Sequence, residues 1–305
     1  MSLPRSHSQK HPPAPRAIPF YPGVAALVAR YDGFILDLWG VIHDGITAYP
    51  GVTDTLQHLK DRGKHVLLLS NAPRRVSEIV AAMEKMGIPR ALYDDFISSG
   101  EAAHAAMKSR SDPWFQALGQ ACYLMGPARD HGMLGGLEMR RVERMEEADI
   151  ILATGVDWDD DGIEVYLPAL AVGAERHLPM ICANPDLEVI RGGRRILCAG
   201  TLAMRYEALG GEVRYFGKPH PEIYELCFER LRGIERRRIV AIGDSLRTDV
   251  AGAIAAGIDS VLVTGGIHAE ELGIGHGDHP DPQALAEACA RGGHIPTAAI
   301  PAFLW

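Results

Sequence analysis

The chain has 305 residues, 47% of them hydrophobic and 23% charged, and a net charge of −8 at neutral pH. That length exceeds what one core usually serves and predicts about two domains, while no apolar run approaches the roughly 18 residues a membrane span needs. The acidic balance argues against nucleic acid as the main partner, since such binders present a basic face.

The five cysteines, Cys122, Cys182, Cys198, Cys227 and Cys289, include no C-x-x-C pair, which suits reduced thiols in a cytosol. The N-terminal stretch has no apolar signal-like run, and Pro4, Pro12, Pro13, Pro15 and Pro19 would break an amphipathic transit helix. The expectation is a cytoplasmic protein with a solvated arm over residues 1–17.

A short helix over Gly23 to Arg30 leads into the first strand, Phe34-Ile35-Leu36, which ends in Asp37 and is followed by Gly40. Short apolar runs of this kind read as parallel strands buried on both faces. A helix over Thr53 to Arg62, closed by Gly63, precedes a second strand, His65 to Leu69, which stops at Ser70-Asn71-Ala-Pro73. A helix over Arg75 to Met86 then gives way to a brief strand at Asp95 to Ser99 and a helix around Glu101 to Lys108.

From about Gln120 the pattern restarts, with strands at Ala121 to Met125, Ala148 to Ala153 and Met180 to Ala183. The last of these precedes Asn184-Pro185-Asp186, and Gly192-Gly193 reads as a return linker. Residues 118–191 are therefore expected to form an inserted α/β unit. The first theme resumes with helix Gly200 to Leu209, strand Val213 to Phe216, helix Pro221 to Leu231, strand Ile239 to Ile242, helix Asp249 to Ala256 and strand Ser260 to Val263. This alternation predicts right-handed βαβ units and a mostly parallel sheet, with residues 18–117 and 192–305 as the core.

Some patterns imitate sites. Asp157-Trp-Asp159-Asp-Asp161-Gly162 resembles the front of an EF-hand loop, but its twelfth position is Pro168 where a bidentate Glu is required. It reads as an acidic turn. His276, Asp278, His279 and Asp281 lie in a Gly/Pro-rich stretch and read as a loop. Neither a G-x-G-x-x-G at a strand-to-helix turn nor a G-x-S-x-G elbow occurs.

Four predicted strand ends carry polar groups: Asp37, Ser70 with Asn71, Lys218 in Gly217-Lys218-Pro219, and Asp244 in Gly243-Asp244-Ser245 with Asp249 beyond. In a parallel sheet they share one edge, where ligands bind. Each alone has a structural explanation as a cap or salt bridge. Together, acids with oxygen-only ligands favour Mg²⁺, and a lysine, a hydroxyl and a helix N-terminus beside it make a phosphate-sized cradle.

These four segments resemble, in order, the motifs of the haloacid dehalogenase (HAD) superfamily of phosphatases. The Gly243-Asp-Ser-Leu-Arg-Thr-Asp249 form, the long insertion and Asn184-Pro185-Asp186 resemble class IIA, the ribonucleotide-monophosphatase and nitrophenylphosphatase branch. The resemblance covers about residues 30–270 and implies an α/β, Rossmann-like core with an inserted C2-type cap. It implies that Asp37 is the nucleophile and forms an aspartyl-phosphate. Asp37, the Trp39 carbonyl and Asp244 would hold Mg²⁺, with Asp249 orienting its waters or Lys218. Ser70, Asn71 and nearby amides would hold the phosphoryl oxygens, and Lys218 would offset charge on Asp37 and the transferring group.

One departure stands out. The family's second Asp, two residues after the nucleophile, acts as general acid and base, and here Trp39 takes its place. Indole does neither job, so slow turnover on alkyl phosphates and accumulation of the aspartyl-phosphate are expected. His43 and Asp44 are candidate substitutes, although neither is at the usual spacing and a solvent-exposed loop role is the favoured reading for each.

Two rival readings remain open at this stage. A dehalogenase would also lack the second Asp, but Asp244 and Asp249 speak for a metal. A metal- and phosphate-binding pseudoenzyme would tolerate Trp39. The expected ligand is a small phosphorylated metabolite, with Asn184, Asp186 and His43 as candidate substrate contacts under a cap that closes over the site. Homodimerisation through the exposed cap surface is an open alternative to a monomer, and neither nucleic acid nor membrane is expected as partner.

Overall fold

The computed structural model describes residues 17–305; the arm expected over 1–17 lies outside them except for Ala17. Strands β1 (Gly33–Leu36), β2 (His65–Ser70) and β3 (Asp95–Ser98) open the first sheet. Strands β4 (Ala121–Met125), β5 (Arg140–Val142), β6 (Ile150–Ala153) and β7 (Met180–Cys182) open the second. An antiparallel hairpin, β8 (Glu188–Arg191) and β9 (Arg194–Leu197), is followed by β10 (Val213–Tyr215), then by β11 (Ile239–Gly243), β12 (Asp259–Val263) and β13 (Ala298–Ile300).

The first sheet has the order β13-β12-β11-β1-β2-β3 and every pairing in it is parallel. Every residue of β1 is buried, because helices cover both faces. On one face Phe34, Leu36, Val66 and Leu68 meet Leu56, Leu59, Ile79 and Met83 from the helices Val52–Asp61 and Val76–Lys85. On the other, Ile35, Leu67, Leu69 and Ala241 meet Tyr224 and Cys227 from Pro221–Arg230. Alternate residues of each strand thus serve opposite halves of the core.

The second sheet has the order β10-β7-β6-β4-β5, again all parallel. This corrects the expected boundary. Val213–Tyr215 pairs with β7, and helix Ala199–Ala208 buries Leu202, Ala203 and Tyr206 in the second core, so the inserted unit runs on to about residue 216 instead of ending at 191. Gly192-Gly193 is the turn of the β8–β9 hairpin, with both glycines at positive φ, and is no linker between units.

All five cysteines are buried and free. Among the described residues no helix is long and apolar enough to cross a membrane. The Asp157 to Gly162 stretch is a turn in which Asp161 accepts hydrogen bonds from the Trp158 amide and the Tyr166 hydroxyl. His276 stacks on Tyr49, while Asp281 caps the helix Pro282–Gly292, so the loop histidines and acids do not converge.

Candidate active site

Strand β1 lies between β2 and β11, so parallel pairing brings Asp37, Ser70 and Asp244 out side by side at one edge. Asp249 comes from a widened helical turn, Leu246–Val250, in which the Val250 amide donates to the Ser245 carbonyl at 3.1 Å. Wide turns of this kind recur at functional sites. Lys218 enters where the chain returns from β10.

The lysine organises the cluster. Its Nζ donates to Asp37 Oδ1 at 2.6 Å, to Asp249 Oδ1 at 2.7 Å and to the Leu69 carbonyl at 3.2 Å. An ammonium has three N–H donors, so all are engaged. The side chain is only 2% exposed. Burial alone would lower its pKa, yet Asp249 and Asp37 hold it well above the ordinary lysine value. Removing the ammonium as Lys218→Met leaves buried carboxylates unpaired, a change that typically costs about 3–5 kcal/mol. Urea unfolding of the metal-free protein should show a loss of that size.

Asp37, Asp244 and Asp249 each offer an oxygen within 4.8 Å of the others. Burial raises the pKa of Asp37 despite Lys218, and burial with Asp37 and Asp249 nearby raises that of Asp244 further. One lysine therefore under-compensates three acids. Asp249 spends Oδ1 on Lys218 and Oδ2 on the Ser245 amide, while Asp244 Oδ2 takes the Ile267 amide at 2.7 Å. Asp37 Oδ2 and Asp244 Oδ1 accept no hydrogen bond from the described residues. A Cβ on Gly40 or Gly266 would collide with the Asp244 carboxylate, so the cradle is built for close approach. Hard, anionic oxygens with unused lone pairs fit a divalent cation.

Ser70 is fully buried; its Oγ accepts from the Ala72 amide at 3.2 Å. Its hydroxyl proton has no acceptor among the described residues. Asn71, expected to hold a phosphoryl oxygen, has its side chain engaged elsewhere. Its Nδ2 donates to the Lys218 carbonyl and to Asp186, and its Oδ1 accepts from the Lys218 amide and Ser99 Oγ. The side-chain amide has no donor left and bolts three segments together, so a phosphoryl contact from Asn71 would fall to its backbone N–H.

Asn184 and Asp186 lie at the carboxyl edge of the second sheet, beyond β7. Asn184 Oδ1 accepts from the Asp186 amide at 3.0 Å, and Asp186 Oδ1 meets Asn71 at 2.9 Å, so the inserted unit is tied to the core beside the lysine. Both line a recess between the two units. His43 is not on an exposed loop: it is 4% exposed and its Nδ1 accepts from the Gly45 amide at 3.0 Å. Burial pushes its pKa down to about 4, and it lines neither the recess nor the neighbouring cleft. Asp44 does line that cleft. Burial opposes its ionisation, but the amides of Thr47 and Ile46 and the Thr47 hydroxyl hold its pKa below the usual range.

Trp39 packs edge-on to His43 with ring centroids 5.3 Å apart, and the Arg191 guanidinium lies 5.6 Å from the indole. Gly45, at φ +87°, faces the indole so closely that any Cβ would strike it. Ser99, Ile267 and Arg191 were not expected at the site. The run Ser260 to Val263 followed by Thr264-Gly265-Gly266 was the available signal for Ile267, being a further strand end with glycines.

The pattern of the haloacid dehalogenase-like hydrolases matches residues 34–138, and that of the HAD-hydrolase-like family matches 215–288, beginning where the chain returns to the first sheet. A crystal structure of a hydrolase of the haloacid dehalogenase-like family from Brucella suis 1330 is 34% identical. The match covers 93% of this chain and 100% of that one at a TM-score of 0.79. Chronophin of Bos taurus is 27% identical over 268 residues, 80% of this chain and 85% of its own. The 4-nitrophenylphosphatase of Schizosaccharomyces pombe is 25% identical over 267 residues, 80% and 87% of the two chains. The chain belongs to the haloacid dehalogenase-like hydrolase family, in its class IIA branch.

Proposed function

We propose that the chain is a Mg²⁺-dependent phosphatase for a small phosphorylated metabolite, working through a phosphorylated Asp37. The observation that carries this reading is the buried Asp37–Lys218–Asp249 network beside Asp244, with one oxygen on Asp37 and one on Asp244 left free. Lys218 fixes Asp37 through Oδ1 and so orients the carboxylate, one oxygen of which attacks phosphorus. The bond from phosphorus to the ester oxygen breaks, its electron pair goes to that oxygen, and the phosphoryl group stays on Asp37. Ser70 donates its hydroxyl proton to a phosphoryl oxygen. Water then attacks phosphorus, releasing inorganic phosphate and restoring the carboxylate. Asp37, Asp244 and the Trp39 carbonyl would hold Mg²⁺, which would supply the positive charge that lets an anionic nucleophile approach an anionic ester.

Because Trp39 cannot donate a proton, the leaving oxygen takes its proton from solvent. The inserted unit covers the edge, and a cleft of about 970 Å³ lined by Asp37, Lys218 and Asp244 holds the substrate.

A screen of aryl, sugar and nucleoside phosphates with and without Mg²⁺ tests the reading. Phosphate release that chelator abolishes is expected. Tight binding of phosphate esters without release from any of them would favour a binding protein instead. Mg²⁺ should also stabilise the fold, by about 2.7 kcal/mol at a hundredfold excess over its Kd. A thermal melt should rise with added Mg²⁺ in the native protein and stay flat in Asp244→Ala.

A further inference from the structure

Beside the Asp37 cleft lies a smaller recess of about 70 Å³, and the two share Trp39 and Asp186 as walls. Three arginines line the recess: Arg74, just beyond the end of β2, Arg129, beyond β4, and Arg191, at the end of β8. The core and the inserted unit therefore both contribute. Asp130, Thr154, Asp159, Asn184 and Asp186 supply the rest of its polar wall.

Arg74 and Arg129 have no carboxylate within ion-pair distance among the described residues, whereas Arg191 meets Asp159 at 3.3 Å. Burial lowers the pKa of Arg74, and Arg129 and Arg191 press in the same direction while Asp130 opposes them. Asp130 is 3% exposed and Thr154 2% exposed, yet Asp130 Oδ1 and Thr154 Oγ1 lack hydrogen-bond partners. Thr154 sits close enough to Asp130 to favour its charged form, but no bond of ordinary geometry satisfies either atom. Buried polar atoms without partners in a native recess mark a place where a ligand's polar atoms belong.

The acids nearby do not cancel the arginines. Asp159 is paired with Arg191, and Asp186 gives Oδ1 to the Asn71 amide while burial, against Lys218, raises its pKa and so weakens its charge. Asp130 alone faces Arg74 and Arg129, and burial pushes its carboxyl up to about 6. An entering anion raises that pKa further, and Asp130, once protonated, donates a hydrogen bond instead of repelling. Glu78 also acts on Arg74 but does not line the recess.

We infer that the leaving alcohol of the substrate carries a second anionic group, a carboxylate or a phosphate, which Arg74, Arg129 and Arg191 hold in this recess while the ester phosphate lies at Asp37. This rests on the phosphatase reading and names the substrate class for it.

The test compares kcat/KM for 3-phosphooxypropanoate, propane-1,3-diol bisphosphate and propyl phosphate in the full chain with Mg²⁺. At least one doubly anionic ester should exceed propyl phosphate by about tenfold or more, the range expected of a charged hydrogen-bonded pair; the preferred one identifies the anion. Arg129→Gln and Arg74→Gln should each bring that ratio down to within about threefold of unity, and Arg129→Lys should restore part of it. The ratio is insensitive to general damage, which slows all three esters together. Equal kcat/KM for the three, or ratios unchanged in both glutamine variants, overturns the inference and leaves the phosphatase reading standing. If no ester is hydrolysed, calorimetry decides: arginine-dependent preference for a doubly anionic ester keeps the anion site while hydrolysis falls, and its absence removes both.

Discussion

Asp37→Asn abolishes phosphate release, lowering kcat by about 10⁴-fold or more, as loss of a covalent nucleophile does elsewhere. Asparagine keeps the shape of the side chain and still offers Oδ1 to Lys218, whose Nζ lies 2.6 Å away, so the network is retained. The variant also removes one of three crowded buried negative charges, so its folding stability should not fall. Steady-state kinetics alongside thermal unfolding separates the two effects. Activity within about a hundredfold of native, in a folded protein, would assign the nucleophile's role to another group.

Trp39→Asp raises turnover on alkyl phosphates, by about 10²- to 10⁴-fold, the usual contribution of a general acid and base. The effect depends on the leaving group. A phenolate leaves without help, so aryl phosphates gain far less, and the native enzyme discriminates strongly between the two. No neighbour compensates for the indole: His43 is buried, is neutral above about pH 4, and has Nδ1 occupied by the Gly45 amide. Asp44 Oδ1 is tied to the amides of Ile46 and Thr47. Plotting kcat/KM, which reports the phosphorylation step, against leaving-group pKa for native and variant checks this directly. A steep dependence in the native enzyme that flattens in Trp39→Asp is expected, and parallel lines would contradict it.

The sheet edge was legible because its strands are buried on both faces and so appear as unbroken apolar runs, each stopped by a polar residue. Asp37, Ser70 and Asp244 fall at such stops, Asp249 lies in the helical turn after the last of them and Lys218 just beyond β10; the fold brings all five together. What was not legible depended on tertiary choices. Val213–Tyr215 is three residues long, and nothing local says whether it joins β7 or the core sheet; its pairing moves the unit boundary by about 25 residues. A Gly-Gly pair serves equally as a linker and as a hairpin turn, and Gly192-Gly193 proved the latter. Asn71 has the right position for a phosphate ligand, but Ser99 and Asp186, distant in sequence, use up its amide. Arg74, Arg129 and Arg191 are far apart in the chain and share no motif, and only the folding of the two units brings them to one recess.

The central claim is that Asp37 takes the phosphoryl group, and mass spectrometry of acid-quenched protein during turnover tests it most directly. With an aryl phosphate, whose leaving group needs no acid, and water attack slowed by the lack of a general base, the peptide containing Asp37 should gain the mass of one phosphoryl group, absent in Asp37→Asn. Turnover with that peptide unmodified, or with the phosphoryl group on a different residue, would contradict it.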